Sequence, residues 1–267
     1  MNKKIIQLIC AALVYLAFSL YLYQPYFSRF RTVQFVIIIN LVTASVGAFI
    51  LSRRWMFCFW ASFFCGLVYG FGPFNLALTS YHPAVGLLAA SVPWLFMPAA
   101  YGPGGKWKFT RYLLCGIPFV VFFLLFQVAE HFRLFALPTQ MRLNLNDAAA
   151  FVFPIVMLKK KLISAGFYHV PLAMFVTGAA MMAAARRVTI FVIFGVGIVL
   201  TFFQPILGVS PLIWLTLPVL CGALFVGMGL QGLFFAGKKD LKWIVTGAVL
   251  MALLAIVSLV MITRCEN

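Results

Sequence analysis

Apolar residues run in long stretches along the chain, and polar residues are concentrated in the short gaps between them. Ten apolar segments follow one another, at residues 5–23, 33–51, 55–72, 84–101, 112–129, 147–158, 166–185, 188–207, 211–236 and 243–262. About 20 apolar residues let a helix cross the ~30 Å hydrocarbon layer of a bilayer, and most segments reach or approach that length. Segment 147–158 is shorter and suits an interfacial or re-entrant piece. The pattern predicts an all-α polytopic membrane protein of nine or ten transmembrane helices, with residues 1–267 forming one transmembrane domain and no soluble domain.

The composition and the placement of charge support the same interpretation. Hydrophobic residues make up 65% of the chain and charged residues only 9%, whereas soluble domains average about 45–50% and about 25%. A net charge of +16 would suggest nucleic acid in a soluble protein. Here the basic residues lie at the ends of the apolar segments, where they contact headgroups and set topology. We therefore expect no nucleic-acid partner, and we predict a multi-pass protein of the bacterial cytoplasmic (inner) membrane.

The densest basic cluster predicts where the protein contacts lipid most strongly. Lys159, Lys160 and Lys161 follow one another directly after the sixth apolar segment. Each lysine near an anionic surface contributes about 1 kcal/mol of attraction. We predict that these three side chains bind lipid headgroups and that the lipid partners are anionic.

Basic landmarks recur at a constant offset along the chain, and a proline recurs within each set. Arg53-Arg54 precedes Arg186-Arg187 by 133 residues, and Lys106 precedes Lys239 by the same 133 residues. The second span after each arginine pair carries an internal proline, Pro93 or Pro218. These intervals predict two five-span halves, residues 1–133 and 134–267, of which the second is inverted relative to the first.

The distribution of basic residues leaves the number of spans open. With ten spans and the N-terminus inside, 11 Lys and Arg residues lie inside and nine outside. If residues 163–185 enter the membrane and return on the same side, the split becomes 15 to five, which fits the positive-inside rule better. If only segment 147–158 fails to cross, it is 12 to eight. The long apolar stretch 165–185 favours ten spans.

The layout resembles the drug/metabolite transporter superfamily. The resemblance rests on residues 75–84 leading into the helix with Pro93, on residues 208–211 leading into the helix with Pro218, and on the last hairpin, residues 238–247. It covers residues 50–120 and 200–262. It implies ten spans in two inverted five-span repeats and a transport function. The chain departs from the family because both hairpins lack the acidic residue after the glycine, and because the first span lacks the usual Trp/Gly signature.

Catalytic and metal-binding signatures are missing from the sequence. No His-Glu-x-x-His, Gly-x-Ser-x-Gly or paired-aspartate motif occurs, and no pair among the six cysteines has metal or redox spacing. Acidic residues lie only at the edges of apolar segments or in the tail. We therefore predict no catalytic residue, no metal and no cofactor, and hence not an enzyme. Glu130-His131, which abuts the fifth span, is a candidate gate.

Uncharged polar and aromatic side chains within the spans are the candidates for a substrate path. They are Asn40, Gln127, Thr201, Gln204 and Gln231, with Trp94 and Trp214 as aromatic walls. No charged residue falls at mid-span, so a strongly charged substrate would lose its hydration without a countercharge. The sequence therefore favours a transporter of a small neutral, zwitterionic or amphipathic organic molecule. The alternative is a non-catalytic scaffold subunit, in which the same side chains hold helices together and the protein has membrane protein partners.

Glycine spacing predicts where helices approach each other closely. Gly66 and Gly70 are four residues apart on one apolar segment, the spacing that lets two backbones come together. The pairs Gly195/Gly197 and Gly227/Gly229 offer the same close approach or a point of bending.

Overall fold

The computed structural model describes residues 3–24, 31–102, 108–131, 172–202 and 209–237, together with five single residues between 245 and 256. This part of the chain is almost entirely helical. The helices are α1 (Lys3–Tyr23), α2 (Arg31–Ser52), α3 (Phe59–Gly70), α4 (Pro73–Tyr81), α5 (Pro83–Leu95), α6 (Met97–Tyr101), α7 (Lys108–Cys115), α8 (Ile117–His131), α9 (Leu172–Ala184), α10 (Val188–Phe202), α11 (Pro211–Trp214) and α12 (Thr216–Phe235).

Five helical segments are long and apolar enough to cross a membrane: Lys3–Tyr23, Val33–Ser52, Phe59–Ser80, Pro83–Tyr101 and Pro211–Phe234. Shorter apolar helices cover Ile117–Val128, Met174–Ala184 and Val188–Phe202. Helices therefore occupy eight of the ten predicted segments. Segment 147–158 lies outside the described residues, and so does segment 243–262 apart from the five single positions. The full span count and the inverted repeat remain predictions.

The predicted end of the third segment was wrong. We expected the segment to stop at residue 72, before Pro73, but α4 continues the apolar stretch to Ser80. Pro73 is the first residue of α4, a position where proline is favoured because the missing N–H has no helical partner there anyway. The Gly72-Pro73 pair therefore interrupts the third span instead of terminating it.

Prolines account for four interruptions of the described helices. A proline has no N–H, so the carbonyl four residues earlier loses its helical donor. Each interruption lies between a proline and that carbonyl: at Phe71-Gly72 before Pro73, at Phe96 before Pro98, at Gly116 before Pro118, and at Leu215 before Pro218. Pro93, by contrast, lies inside α5 without ending it.

The predicted close approach at Gly66 and Gly70 is confirmed. A Cβ added to Gly66 would lie 2.7 Å from the Ser45 carbonyl oxygen of α2. A Cβ on Gly70 would overlap Ser45 Oγ and lie 2.9 Å from the Leu41 carbonyl oxygen. Glycine at both positions therefore lets the backbone of α3 lie directly against α2.

The other two glycine pairs differ from each other in how closely they are packed. A Cβ on Gly197 would lie 2.6 Å from Cδ of Pro218, and one on Gly227 would lie 2.7 Å from Cε of Met56. A Cβ on Gly229 would overlap the Met174 carbonyl oxygen. Gly195, however, has nothing within 4 Å of that position. Three of these four glycines thus lie where a neighbouring helix leaves no room for a side chain, whereas Gly195 faces open space.

The central helix of the described part is α12, and α1 is peripheral. Helix α12 packs against α3, α5, α9 and α10, and most residues of the Pro211–Phe234 segment are buried, whereas most of those of the Lys3–Tyr23 segment are not. The main core lies where α2, α3, α5, α8 and α12 meet, and its fully buried members include Tyr69, Val92, Phe122 and Leu217. The apolar outer face of α1 is left for lipid.

Candidate functional site

The interruption between α3 and α4, which we call the third-span break, lies level with the centre of the apolar segment of α2. Gly70, the last residue of α3, packs against Leu41 and Ser45 of α2. Those two residues are close to the centre of the apolar segment Val33–Ser52. Backbone that leaves the helix at this depth is tolerated only where it is buried in protein or lines a cavity.

Two side chains satisfy carbonyl groups that prolines have left without a donor. Pro73 frees the carbonyl of Tyr69, and Asn75 Nδ2 donates to that oxygen at 2.5 Å. Pro93 frees the carbonyl of Ala89, and the hydroxyl of Tyr69 donates to that oxygen at 2.6 Å. Tyr69 and Asn75 together therefore connect the third-span break to α5.

Two buried oxygens at the third-span break have no hydrogen-bond partner among the described residues. They are Asn75 Oδ1 and Ser45 Oγ, on side chains that are 2% and 0% exposed. Six hydroxyls elsewhere in the described helices donate to a carbonyl three or four residues earlier, those of Ser19, Ser52, Ser91, Thr177, Thr201 and Thr216. Leaving a buried polar atom unpaired costs about 1–3 kcal/mol. The third-span break therefore carries acceptor capacity that the described part of the protein does not use.

Asn40 and Trp94 both lie at the interface between α2 and α5. Asn40 Nδ2 donates to the Pro83 carbonyl at 2.7 Å, while its Oδ1 is buried without a partner in the described chain. Trp94 is 39% exposed, and its Nε1 donates to the Thr43 carbonyl at 3.0 Å. A Cβ on Gly47 would lie 2.6 Å from that nitrogen, so glycine lets the indole reach α2. These two candidates hold α2 and α5 together.

Trp214 and Gln127 lie in different surroundings. Trp214 is buried, stacked on Phe119 at 5.4 Å between ring centroids, and in edge contact with Phe122 at 5.8 Å. Its Nε1 has no acceptor among the described residues. Gln127 lies on the exposed side of α8, eight residues beyond Phe119. Phe122 precedes Gln127 by five residues, so the amide lies ~8–12 Å along the helix from the two rings that α8 contributes to the cluster.

Thr201 and Gln231 both form hydrogen bonds with backbone groups of the protein. Thr201 Oγ1 donates to the Ile198 carbonyl of its own helix at 2.6 Å. Gln231 Oε1 accepts from the backbone N–H of Phe57 at 2.7 Å and of Cys58 at 3.3 Å. Gln231 therefore ties α12 to the start of α3.

The remaining predicted residues are described only in part or not at all. Gln204 and the cluster Lys159, Lys160 and Lys161 lie outside the described residues. For the candidate gate, Glu130 is in the last turn of α8, but its side chain lies outside the described ones, whereas His131 is exposed at the end of that helix. Among the described side chains, no group of three His, Cys, Asp or Glu residues is arranged to hold a metal ion.

The predicted path residues that the structure describes are thus spread over several helices, and the third-span break is formed by residues that were not among them. Asn75 was missed because Gly72-Pro73 was interpreted as the end of a span, which placed Asn75 in a loop. The useful signal was its position two residues after a proline, next to a carbonyl freed by that proline. Ser45 gave no such signal, since its contact with Gly70 depends on how α2 and α3 pack.

No family model, no curated protein and no solved structure matches this chain.

Proposed function

We propose that the protein is a transporter of a small neutral or amphipathic organic molecule in the bacterial inner membrane. On this proposal it has ten spans in two inverted five-span halves, as the resemblance to the drug/metabolite transporter superfamily implies. Transporters of this kind bind substrate near the bilayer midplane, at helices that are discontinuous there.

The third-span break is the observation that carries the proposal. A helix interrupted near mid-membrane exposes carbonyl and N–H groups that a continuous helix would satisfy internally. Here the side chains of Tyr69 and Asn75 donate to the carbonyls that the prolines free. Two buried oxygens, Ser45 Oγ and Asn75 Oδ1, remain without a hydrogen-bond partner in the described chain. The interruption at Phe96, between α5 and α6, and the one at Leu215, between α11 and α12, add two further discontinuous segments.

The charge distribution supports the class of substrate. The described helices carry Lys, Arg, Asp and Glu only in their first or last turns. A strongly charged molecule would pass this region without a countercharge, at a high desolvation cost. Amide, hydroxyl and indole groups can bind a neutral or zwitterionic molecule without that cost.

A scaffold subunit of a larger membrane complex is the second candidate. It is favoured by the hydrogen bonds that Asn40 Nδ2, Thr201 Oγ1 and Gln231 Oε1 form with backbone groups of the same chain. Residues that serve only to join helices need no opening to water. The two functions therefore differ in whether the third-span break becomes accessible from one side of the membrane.

Cysteine accessibility tests this difference without knowledge of the substrate. Ser45→Cys is nearly isosteric and would be made in a background with the six native cysteines replaced. Right-side-out and inside-out vesicles would each be treated with a charged, membrane-impermeant methanethiosulfonate. A transporter predicts that the thiol introduced by Ser45→Cys reacts from at least one side, because alternating access opens the mid-membrane region.

Two controls make the result interpretable. Retaining only the native Cys65, which is fully buried between α3 and α12, should give no reaction from either side. Ala185→Cys, in the exposed turn after α9, should react from one side and confirms that the reagent works. If the Ser45→Cys variant is as unreactive as the Cys65 control in both vesicle orientations, the scaffold function is supported and transport is not.

A further inference from the structure

The unused oxygens at the third-span break point to a ligand of a specific chemistry. Ser45 Oγ lies against Gly70, and Asn75 Oδ1 belongs to the amide that reaches back to Tyr69, so each is next to one of the last two residues of α3. One of the two N–H donors of Asn75 Nδ2 is already used by the Tyr69 carbonyl. The two buried atoms left here without a partner in the described chain, Ser45 Oγ and Asn75 Oδ1, are both oxygens that can accept or coordinate.

The backbone adds negative polarity at the same place. The C-terminal end of a helix carries a partial negative charge, because its last carbonyl groups point outwards without helical donors. In α3 the carbonyls of Leu67 and Tyr69 accept from Phe71 N and Asn75 Nδ2. Val68 and Gly70 also belong to the last turn of α3, so their carbonyls are at the same helix end.

From these groups we propose that the third-span break binds a monovalent alkali cation, held by Ser45 Oγ, Asn75 Oδ1 and carbonyl oxygens at the end of α3. Neutral side-chain and carbonyl oxygens replace the hydration shell of Na⁺ or K⁺ in unwound transporter helices and in channel filters. Ca²⁺ and Mg²⁺ are bound with the help of carboxylates, which the apolar segments around the third-span break do not contain.

The cation would supply an energy source that the sequence otherwise lacks. No acidic residue lies at mid-span, so coupling through a buried carboxylate has no candidate. A cation bound by neutral oxygens couples transport to an ion gradient without such a group. This role rests on the proposed transporter function, whereas the site itself can be tested by binding alone.

The test is equilibrium binding of ²²Na⁺ to the purified full-length protein in nanodiscs, with NaCl, KCl and choline chloride as competitors. We expect saturable binding that NaCl or KCl displaces and choline chloride does not. Ser45→Ala should weaken binding at least tenfold, which corresponds to about 1.4 kcal/mol. Because Ser45 Oγ has no partner in the described chain, the same variant without cation should melt no earlier than the wild type.

Ser62→Ala is the matched control. Ser62 is on α3, is also fully buried, and its Oγ also lacks a partner in the described chain. It precedes Gly70 by eight residues, about two turns or ~12 Å along the helix. Ser62→Ala should therefore leave ²²Na⁺ binding unchanged while removing the same chemical group.

The outcomes separate this proposal from the function proposed above. Absence of saturable binding by the wild type, or equal binding by Ser45→Ala and the wild type, would overturn the cation site, since an ordered water would then account for the two oxygens. Equal weakening by Ser45→Ala and Ser62→Ala would also overturn it. Cation binding by the wild type together with an unreactive Ser45→Cys variant would leave the site standing and remove the transport function. A reactive Ser45→Cys variant without cation binding by the wild type would overturn the cation site and leave the transport function standing.

Discussion

Gln231 and Phe57 join distant parts of the chain through one short hydrogen bond. The backbone N–H of Phe57 donates to Gln231 Oε1 at 2.7 Å across 174 positions of sequence. The same oxygen accepts from Cys58 N–H at 3.3 Å, so one amide serves two donors at the start of α3. A helix start leaves its first N–H groups without helical partners, and here a side chain of α12 supplies the acceptor.

Gln231→Leu should therefore destabilise the protein. The variant keeps the volume of the side chain but removes the acceptor, which we expect to cost about 1–2 kcal/mol of unfolding free energy. The measurement is the unfolding midpoint of the purified protein on titration with a denaturing detergent. Met228→Leu is the control, since it removes only the weak sulfur contact of Gln231 Nε2 at 4.0 Å. Equal midpoints for Gln231→Leu and the wild type would show that the bond is not stabilising.

Gly178 of α9 and Gly195 of α10 allow the same substitution to be compared in a tightly packed and in an open position. A Cβ on Gly178 of α9 would overlap the Phe225 carbonyl oxygen of α12, and backbone cannot move aside as a flexible side chain can. Gly178→Ala should thus force the two helices apart at a cost of about 1–3 kcal/mol. Gly195→Ala adds the same methyl group where nothing lies within 4 Å, and helix propensity predicts no loss and a gain of up to about 1 kcal/mol. Detergent melting temperatures should fall for Gly178→Ala only; a similar fall in both variants would contradict the packing explanation.

Tyr69 and Pro93 should show energetic coupling. Pro93 removes the helical donor of the Ala89 carbonyl, and the Tyr69 hydroxyl replaces it. Tyr69→Phe should cost about 1–2 kcal/mol in the wild type, because it leaves a buried carbonyl unpaired. In a Pro93→Ala background the restored N–H can serve that carbonyl, so the same substitution should cost less. A double-mutant cycle on unfolding midpoints measures the difference; strictly additive effects would show that the hydroxyl does not compensate for the proline.

The sequence predicted the parts of the fold that depend on local pattern. Eight apolar segments coincide with helices, because a run of apolar residues between charges defines a span whatever surrounds it. The close approach at Gly66 and Gly70 was also predictable, because four-residue spacing puts both glycines on one face.

The candidate site was less predictable for two physical reasons. Gly72-Pro73 is equally compatible with the end of a span and with a break inside one, and only the packing of α4 on α5 decides between them. The partners of Asn40 and Gln231 are backbone groups of distant helices, so their roles depend on tertiary contacts that no local pattern contains. Polar residues within a span could be identified from the sequence, but whether each one joins helices or remains available could not.

The last prediction concerns the topology of the second half, for which the sequence left three arrangements. With ten spans, Lys160 lies inside and Arg187 outside. If only segment 147–158 fails to cross, the two sides are exchanged, and if residues 163–185 return on the same side, both lie inside.

Lys160→Cys and Arg187→Cys, each in a background with the six native cysteines replaced, distinguish all three arrangements. Arg187 is exposed in the short link between α9 and α10, so a reagent can reach it. Intact cells would be treated with a membrane-impermeant maleimide before and after permeabilisation, with Gln24→Cys as the outside control and Arg53→Cys as the inside control. We expect the Arg187→Cys variant to react in intact cells and the Lys160→Cys variant only after permeabilisation. If instead the Lys160→Cys variant reacts in intact cells and the Arg187→Cys variant only after permeabilisation, segment 147–158 does not cross. Protection of both variants in intact cells would establish the returning segment, and either result would remove the inverted duplication because the two halves would no longer have five matching spans each.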